Sequence, residues 1–180
     1  LFLVPKFYLK GSGRDAEIGP RNGVTCGSIE KKMGIHGSAT CVLNFDEAQG
    51  YLIGEAHEGL RCMFTMMNGA RLGVGMQGLA LGETAYQSAT AYAKERRSGK
   101  SLAKGADSGD EADPIIVHAD VRNMLLTMRA YNEGARALAY WTALKLDISR
   151  KHPDAGVRRD ADELVQLMTP IIKAFLTDRG

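Results

Sequence analysis

The stretch from Met66 to Gly99 constrains the fold most, because apolar and small residues recur along it at helical spacing. Residues three and four positions apart share one face of a helix, so the pattern predicts one long helix from about Glu58 to Gly99. Arg96 and Arg97 fall in its predicted last turn, where cations suit the helix dipole. The predicted buried face carries Met63, Met66, Met67, Ala70, Val74, Gln77, Leu81, Ala85, Ser88, Ala89 and Tyr92. A helix of this length needs partner helices to bury such a face.

The same stretch contains a formal GxGxxG motif at Gly73, Gly75 and Gly78. A dinucleotide-binding fingerprint requires a preceding strand, so that the glycines form the turn that presents a helix N-terminus to pyrophosphate. The residues before Gly73 have a helical pattern instead. We therefore predict that these glycines, with Ala80 and Gly82, let neighbouring helices approach closely.

The sequence before the long helix predicts a different kind of structure. From Leu1 to about Glu55, short apolar runs alternate with glycines, which predicts a small antiparallel β segment. We predict two domains, a β part over residues 1–57 and a helical part over residues 58–180. The chain starts without Met or a signal-peptide layout, inside a predicted strand, and we expect it to be a piece of a longer protein.

Two further helices are predicted after a polar, exposed loop over residues 98–113. Asp113 and Pro114 predict an N-cap and a first helical position for a second helix that extends to about Lys151. A third helix starts near Val157, and Pro170 should kink or interrupt it. The second helix is expected to bury Val117, Val121, Met124, Leu125, Met128, Tyr131, Leu138 and Trp141. The predicted fold is mainly α with a small β part, in which a partial antiparallel β segment precedes an up-down helical bundle.

Charge, cysteines and histidines exclude several classes of protein. The 23 basic and 21 acidic residues leave a net charge of +2, so no nucleic-acid binding is predicted. Cys26, Cys41 and Cys62 are odd in number and form no CxxC, which favours reduced thiols in a cytoplasmic protein over disulfides or zinc. The four histidines show no metal-binding spacing, so no metal site is predicted. No apolar run reaches the roughly 20 residues that span a bilayer.

Three small groups of polar residues are candidates for ligand binding. Arg96 and Ser98 lie where the first helix meets a glycine-containing loop, and could grip a pyrophosphate or simply be solvated there. Asn68 and Arg71 are one turn apart and could contact a ligand or make an ordinary interhelical hydrogen bond. His118 could meet a ligand or be a partly buried structural histidine. No catalytic triad is recognisable, so no catalytic residue is assigned.

Three longer segments carry a resemblance to one enzyme family. They are KMGIHGSATCVLNFDEAQGYLIGE (32–55), MNGARLGVGMQGLALGETAYQSATAYAKERRSGKSL (67–102) and HADVRNMLLTMRAYNEGARALAYWTALKLD (118–147). In this order they resemble the acyl-CoA dehydrogenase family of flavoproteins, at the end of its middle β domain and the first two long helices of its C-terminal helical domain. KMGIHGSATC, MNGAR and YAKER look most like the branch that acts on 3-methylmercaptopropionyl-CoA and similar acyl-CoAs.

The resemblance implies an oxidoreductase of fatty acid metabolism that dehydrogenates an acyl-CoA between its α and β carbons. A glutamate removes the α proton while the β hydrogen leaves as hydride to the N5 atom of FAD. By motif position, Asn68 and Arg71 correspond to substrate-binding residues near the thioester. Arg96 and Ser98 correspond to residues that hold the FAD diphosphate of a neighbouring subunit, and His118 to a further cofactor contact. The implied partners are an electron-transfer flavoprotein and copies of the same chain in a homodimer or homotetramer.

This sequence departs from the family pattern in two places. Some relatives carry the catalytic glutamate directly before the arginine of the first long helix, where this chain has Ala70. Others carry it well downstream, beyond Gly180, so the resemblance implies no catalytic base within this chain and an inactive fragment. The aromatic residue of the family's ER-x-x-F-G motif is also missing after Arg96. The alternative hypothesis is a non-catalytic helical module for oligomerisation or protein interaction.

Overall fold

A computed structural model describes residues 1–11, 13–102 and 111–180. These residues form two compact units, Leu1–Thr65 and Met66–Gly180. The central part of the predicted loop over 98–113 lies outside the described residues. Within the described residues, no helix is both long and apolar enough to cross a membrane. No group of three or more His, Cys, Asp and Glu side chains that could hold a metal ion occurs there either.

The first unit is built from short antiparallel strands, as the sequence predicts. They are β1 (Phe2–Leu3), β2 (Phe7–Lys10), β3 (Glu17–Arg21), β4 (Val24–Ile29), β5 (Cys41–Phe45) and β6 (Tyr51–Leu52). They pair as β1 with β6, β2 with β3 and β4 with β5. Each described sheet therefore has two strands, and most of the side chains remain exposed.

One buried polar side chain ties the loops of this unit together. Asn22 is 2% exposed, and its amide nitrogen donates to the carbonyl oxygens of Pro5 at 2.8 Å and Gln49 at 2.9 Å. Its Oδ1 accepts from the backbone N–H groups of Gly23 and Gln49, both at 2.9 Å. A Cβ on Gly23 would collide with the Asp46 carbonyl, so only glycine fits beside Asn22. The Asn-Gly pair is therefore a structural requirement of the β unit.

Three long helices follow, which confirms the predicted mainly α fold with a small β part. They are α1 (Gly59–Glu95), α2 (Ala119–Lys151) and α3 (Ala155–Arg179). All three contribute to one hydrophobic core, composed of Leu72, Leu79, Ala135, Ala139, Ile172 and Leu176. The turn between α2 and α3 is short, so these helices run antiparallel against each other.

The glycines of α1 are helix-packing positions. A Cβ on Gly78 would collide with the Leu176 carbonyl of α3, and one on Gly75 would lie 2.9 Å from Cγ2 of Ile172. A Cβ on Gly82 would lie 2.8 Å from Oδ1 of Asn132 on α2. The predicted packing role is confirmed at Gly75 and Gly78 of the GxGxxG motif and at Gly82. It is wrong at Gly73, where a Cβ would meet open space, and at Ala80, which is exposed.

The predicted buried face of α1 is wrong in most positions, whereas five of the eight residues predicted for α2, among them Leu138 beside the core, are half-buried. On α1 the buried residues are Leu72, Gly75, Gly78, Leu79 and Ala93, whereas Val74, Leu81 and Tyr92 are exposed. On α2 they are Asn132, Ala135, Ala139 and Thr142, whereas Met124, Tyr131 and Trp141 are exposed. The helices approach each other through small residues, so the large apolar side chains lie to the sides. The spacing of the large apolar residues on α1 therefore predicts the wrong buried face.

Three predicted helix boundaries also need correction. Helix α1 ends at Glu95, before Arg96 and Arg97, and α2 begins at Ala119. Helix α3 begins at Ala155, where the Asp154 side chain accepts from two backbone N–H groups. Pro170 lies within α3 and does not interrupt it. The interior proline costs about 3 kcal/mol, and burial of Ile172 and Leu176 in the core stabilises the helix on its C-terminal side.

Candidate functional site

The segment that follows α1 is held against the segment that precedes α2. The Ser98 N–H donates to the Asp113 carbonyl at 2.9 Å, and the Asp113 N–H donates to the Gly99 carbonyl at 2.8 Å. The Ile115 N–H donates to the Arg96 carbonyl at 2.8 Å. These bonds surround an antiparallel bridge between Arg97 and Pro114, so the chain leaves the helix after Glu95. They fix Arg96 and Ser98, the two predicted cofactor residues that follow α1, next to the start of α2.

His118 joins this junction through its side chain. Its Nε2 lies 2.7 Å from the Ser98 carbonyl oxygen. A carbonyl only accepts, so Nε2 donates this hydrogen bond. The left-handed backbone of Gly99, with φ of +67°, lets the chain turn beside the imidazole ring. Ser98 and His118, predicted separately from the sequence, therefore belong to one site.

A cleft of about 610 Å³ lies beside this junction. Ser98, Ser101, Ile115, His118 and Arg122 contribute to its lining. His118 is the N-cap of α2 but makes no side-chain capping bond, so the first N–H groups of α2 remain available. Uncapped N–H groups and the positive end of a helix dipole favour an anion. Of the two charged side chains in the lining, Arg122 favours an anion as well, whereas Asp120 opposes one.

The two arginines after α1 have different roles. The Arg97 guanidinium donates to the Ala112 carbonyl at 3.0 Å and lies 3.7 Å from the Glu111 carboxylate. Arg97 therefore closes the loop, whereas the side chain of Arg96 is exposed. The predicted N-cap role of Asp113 is wrong. Asp113 is 4% exposed, and its carboxylate accepts from the Ser101 N–H at 2.8 Å beside the cleft.

Asn68 and Arg71 lie elsewhere, near the start of α1. Both are half-buried, and the guanidinium of Arg150 on α2 lies 4.0 Å from the position of a Cβ on Gly69. At 1.5 Å per residue, Asn68 and Arg96 are about 40 Å apart along the helix. The structure does not bring these two predicted groups together. Arg150 and Arg122 are basic residues that the sequence interpretation did not single out, because neither belongs to a recognisable motif.

Glu83 is a carboxylate of α1 that does not fit the role of a base. It accepts from Nε2 of Gln87 at 2.8 Å and forms an ion pair with Arg136 of α2 at 2.8 Å. The Gln87 hydrogen bond and then the Arg136 guanidinium lower the pKa of Glu83 below its usual value. A carboxylate with a lowered pKa accepts protons less readily. Glu83 therefore serves as a link between α1 and α2.

Comparison with known proteins identifies the family. Residues 57–168 match the family model of the acyl-CoA dehydrogenase C-terminal domain. The chain belongs to the acyl-CoA dehydrogenase family. This confirms the resemblance that the sequence motifs indicate.

Relatives within the acyl-CoA dehydrogenase family match the entire chain. The sequence is 44% identical to 3-methylmercaptopropionyl-CoA dehydrogenase of Ruegeria pomeroyi over 180 residues, which cover 100% of this chain and 29% of that protein. It is 39% identical to a broad-specificity linear acyl-CoA dehydrogenase of Mycobacterium tuberculosis, covering 100% of this chain and 30% of that protein. The chain thus spans less than a third of the length of these two relatives.

A solved structure in the same family supports the fold. The three-dimensional structure of butyryl-CoA dehydrogenase from Megasphaera elsdenii matches with a TM-score of 0.55 and 25% identity. The match covers 87% of this chain and 43% of that one. The β segment followed by long helices is therefore the arrangement of an acyl-CoA dehydrogenase.

Proposed function

We propose that this chain is part of a cytoplasmic, FAD-dependent enzyme that dehydrogenates an acyl-CoA thioester between its α and β carbons. Residues 1–57 would be the end of the middle β domain, and residues 58–180 most of the C-terminal helical domain. The match of the helical family model to residues 57–168 supports this division. The observation that carries the proposal is the junction of Ser98 with His118 beside a cleft that Arg122 also lines.

Arg96, Ser98 and His118 are the proposed cofactor-binding residues. The Arg96 guanidinium and the Ser98 hydroxyl can donate to diphosphate oxygens, and Arg is suited to bidentate contacts with phosphate. His118 holds the Ser98 backbone in place through the 2.7 Å contact of Nε2 with its carbonyl. When bound, FAD supplies the hydride acceptor of the reaction. The protein residues supply binding and alignment.

Asn68 and Arg71 are the proposed substrate-binding residues, near the thioester. Because they lie about 40 Å along α1 from Arg96, one active site does not contain both ends of the helix. We therefore propose that Arg96 and Ser98 serve the FAD of a neighbouring subunit, in a homodimer or homotetramer. Each α1 would then contribute to two active sites of the oligomer.

The catalytic base is proposed to lie outside residues 1–180. Ala70 stands where some relatives carry a glutamate. The carboxylate of Glu83 is hydrogen-bonded to Gln87 and paired with Arg136. The isolated chain is therefore expected to be inactive. The proposed substrates of the whole enzyme are 3-methylmercaptopropionyl-CoA or a fatty acyl-CoA, with an electron-transfer flavoprotein as electron acceptor. The 44% identity to the Ruegeria pomeroyi enzyme supports the first of these substrates.

Flavin retention by the full-length protein tests the cofactor site. Arg96→Ala removes charge-assisted bonds worth about 1.5–3 kcal/mol, so FAD should bind roughly ten- to hundredfold more weakly. Arg159→Ala, an exposed arginine of α3, is the matched control and should leave FAD affinity unchanged. Equal FAD affinity in both variants would contradict the assignment. A protein that lacks flavin, and in which Arg96→Ala changes only oligomerisation, would support the interaction module instead.

A further inference from the structure

Two of the three cysteines lie together on the β4–β5 hairpin. In this antiparallel pair, Cys26 of β4 is opposite Leu43, and Cys41 of β5 is opposite Ile29. Side chains two apart on one strand share a face, so Cys41 lies on the same face as Leu43 and therefore as Cys26. Both cysteines are exposed. The register thus places two accessible thiols diagonally across one sheet face.

A bulge in β4 changes the spacing of this pair. The register shifts between Cys26 and Ser28, which makes Gly27 the extra residue of the strand. Diagonal neighbours in a regular antiparallel pair have Cα atoms about 7–8 Å apart, whereas a disulfide usually needs about 4.4–6.8 Å. A bulge increases local twist, and glycine gives the backbone freedom to move. Disulfide formation therefore requires the backbone of β4 to move, and the bulge at Gly27 is where it can do so.

The protonation of the two thiols is linked. Desolvation and then the neighbouring Cys26 side chain raise the pKa of the Cys41 thiol, while the Lys32 ammonium group lowers it. The Cys26 thiol donates to the Ser28 carbonyl oxygen at 3.5 Å, across the bulge. Cys62 is separate, half-buried, with its sulfur 3.1 Å from the position of a Cβ on Gly54.

We propose that Cys26 and Cys41 form a redox-active dithiol, which a hydroperoxide oxidises to a reversible disulfide. The Cys26 sulfur attacks the O–O bond of ROOH, which gives a sulfenic acid on Cys26 and releases ROH. The Cys41 sulfur then attacks Cys26, one S–S bond forms, and the thiol proton leaves with the hydroxyl as water. The two thiols lose two electrons in total, and the peroxide accepts both. The backbone shift strains the disulfide, so a dithiol reductant reopens it readily.

Peptide mapping of the full-length protein tests this dithiol. The reduced protein is treated with hydrogen peroxide, labelled with a maleimide under denaturing conditions and digested. The expected result is a cross-linked peptide pair that contains Cys26 and Cys41, two hydrogens lighter than the reduced pair, with Cys62 still labelled. Dithiothreitol should restore labelling of both cysteines. Full labelling of all three cysteines, or a cross-link that includes Cys62, would overturn the proposal.

Two variants separate the roles of the sulfurs. In Cys41→Ser, the sulfenic acid on Cys26 has no partner and should accumulate, where dimedone traps it as a stable adduct. Cys62→Ser is the matched control, in which the Cys26–Cys41 cross-link should form as in the wild type. Absence of a dimedone adduct on Cys26 in Cys41→Ser, or loss of the cross-link in Cys62→Ser, would refute the proposed sequence of steps.

Discussion

Replacing Gly78 with alanine tests whether close contact between α1 and α3 holds the helical unit together. The added Cβ would collide with the Leu176 carbonyl and lie 3.1 Å from Cα of Thr177. These obstacles are backbone atoms of α3, so a side-chain rotation does not relieve the clash. Overpacking of this kind costs about 1–3 kcal/mol, while alanine in place of a helical glycine gains about 1 kcal/mol. The difference between this cost and this gain lies between about 0 and 2 kcal/mol. Because the obstacles are backbone atoms, we expect the free energy of unfolding to fall by about 1–2 kcal/mol.

Gly73→Ala is the matched control, because it makes the same chemical change on the same helix. Open space surrounds a Cβ at Gly73, so only the propensity gain remains, up to about 1 kcal/mol of added stability. Thermal unfolding followed by far-UV circular dichroism measures both effects. For a chain of this size, about 1 kcal/mol corresponds to 2–4 °C, so Gly78→Ala should lower Tm and Gly73→Ala should raise it.

The sign of the difference between these variants decides the test. The packing account requires Gly78→Ala to unfold at a lower temperature than the wild type, and Gly73→Ala at the same or a higher one. If Gly78→Ala is as stable as Gly73→Ala, α1 does not touch the α3 backbone as described. The assignment of the GxGxxG motif to helix packing would then lose its physical basis.

Three further predictions concern single polar side chains. Asn22→Ala removes four hydrogen bonds to partly buried backbone groups, each worth about 0.5–1.5 kcal/mol, so urea unfolding should show a loss of about 2–4 kcal/mol. An unchanged urea midpoint would contradict this. Hydrogen bonds from backbone N–H groups lower the pKa of Asp154 in the folded protein below its unfolded pKa of 3.8. The charged cap on α3 therefore stabilises the fold fully above pH 3.8, and this stabilisation is lost as the pH falls through the lower folded pKa. Asp154→Ala should therefore lower Tm at pH 7 but not in strong acid, and a difference that persists in acid would refute the role of the charge. Glu83→Gln breaks the ion pair with Arg136, so it should reduce the salt dependence of stability. A double-mutant cycle over Glu83 and Arg136 should give a favourable coupling free energy, whereas additive effects of the two substitutions would show that the pair is not coupled.

The architecture was predictable because its signals are strong and local. The helical period of α1, the glycine-rich strand region and the polar segment before α2 each indicate one type of element. The buried faces were not predictable, since apolar residues occur all round α1 and the true contact uses Gly75 and Gly78. Small residues carry little signal in a pattern that counts large apolar side chains. Only the position of α3 reveals which face is buried.

The sequence singles out the residues of the candidate site, but it does not show how they are arranged. Arg96, Ser98 and His118 stand out by residue type and by motif, yet the contact of His118 with the Ser98 carbonyl depends on backbone hydrogen bonds between distant segments. Asp113 was assigned to a helix cap because Asp-Pro usually precedes a helix. The structure instead inserts a short 3₁₀ turn, Ile115–Val117, before α2. A 3₁₀ turn of this length depends on tertiary hydrogen bonds and is too short to produce a periodic pattern in the sequence.

The absorbance spectrum of the full-length protein during anaerobic titration with an acyl-CoA tests the central claim most directly. The account predicts a yellow protein whose flavin band bleaches when butyryl-CoA or 3-methylmercaptopropionyl-CoA is added, since substrate oxidation reduces bound FAD. A flavin band that no acyl-CoA changes, or a protein that purifies colourless and binds no FAD, would contradict it.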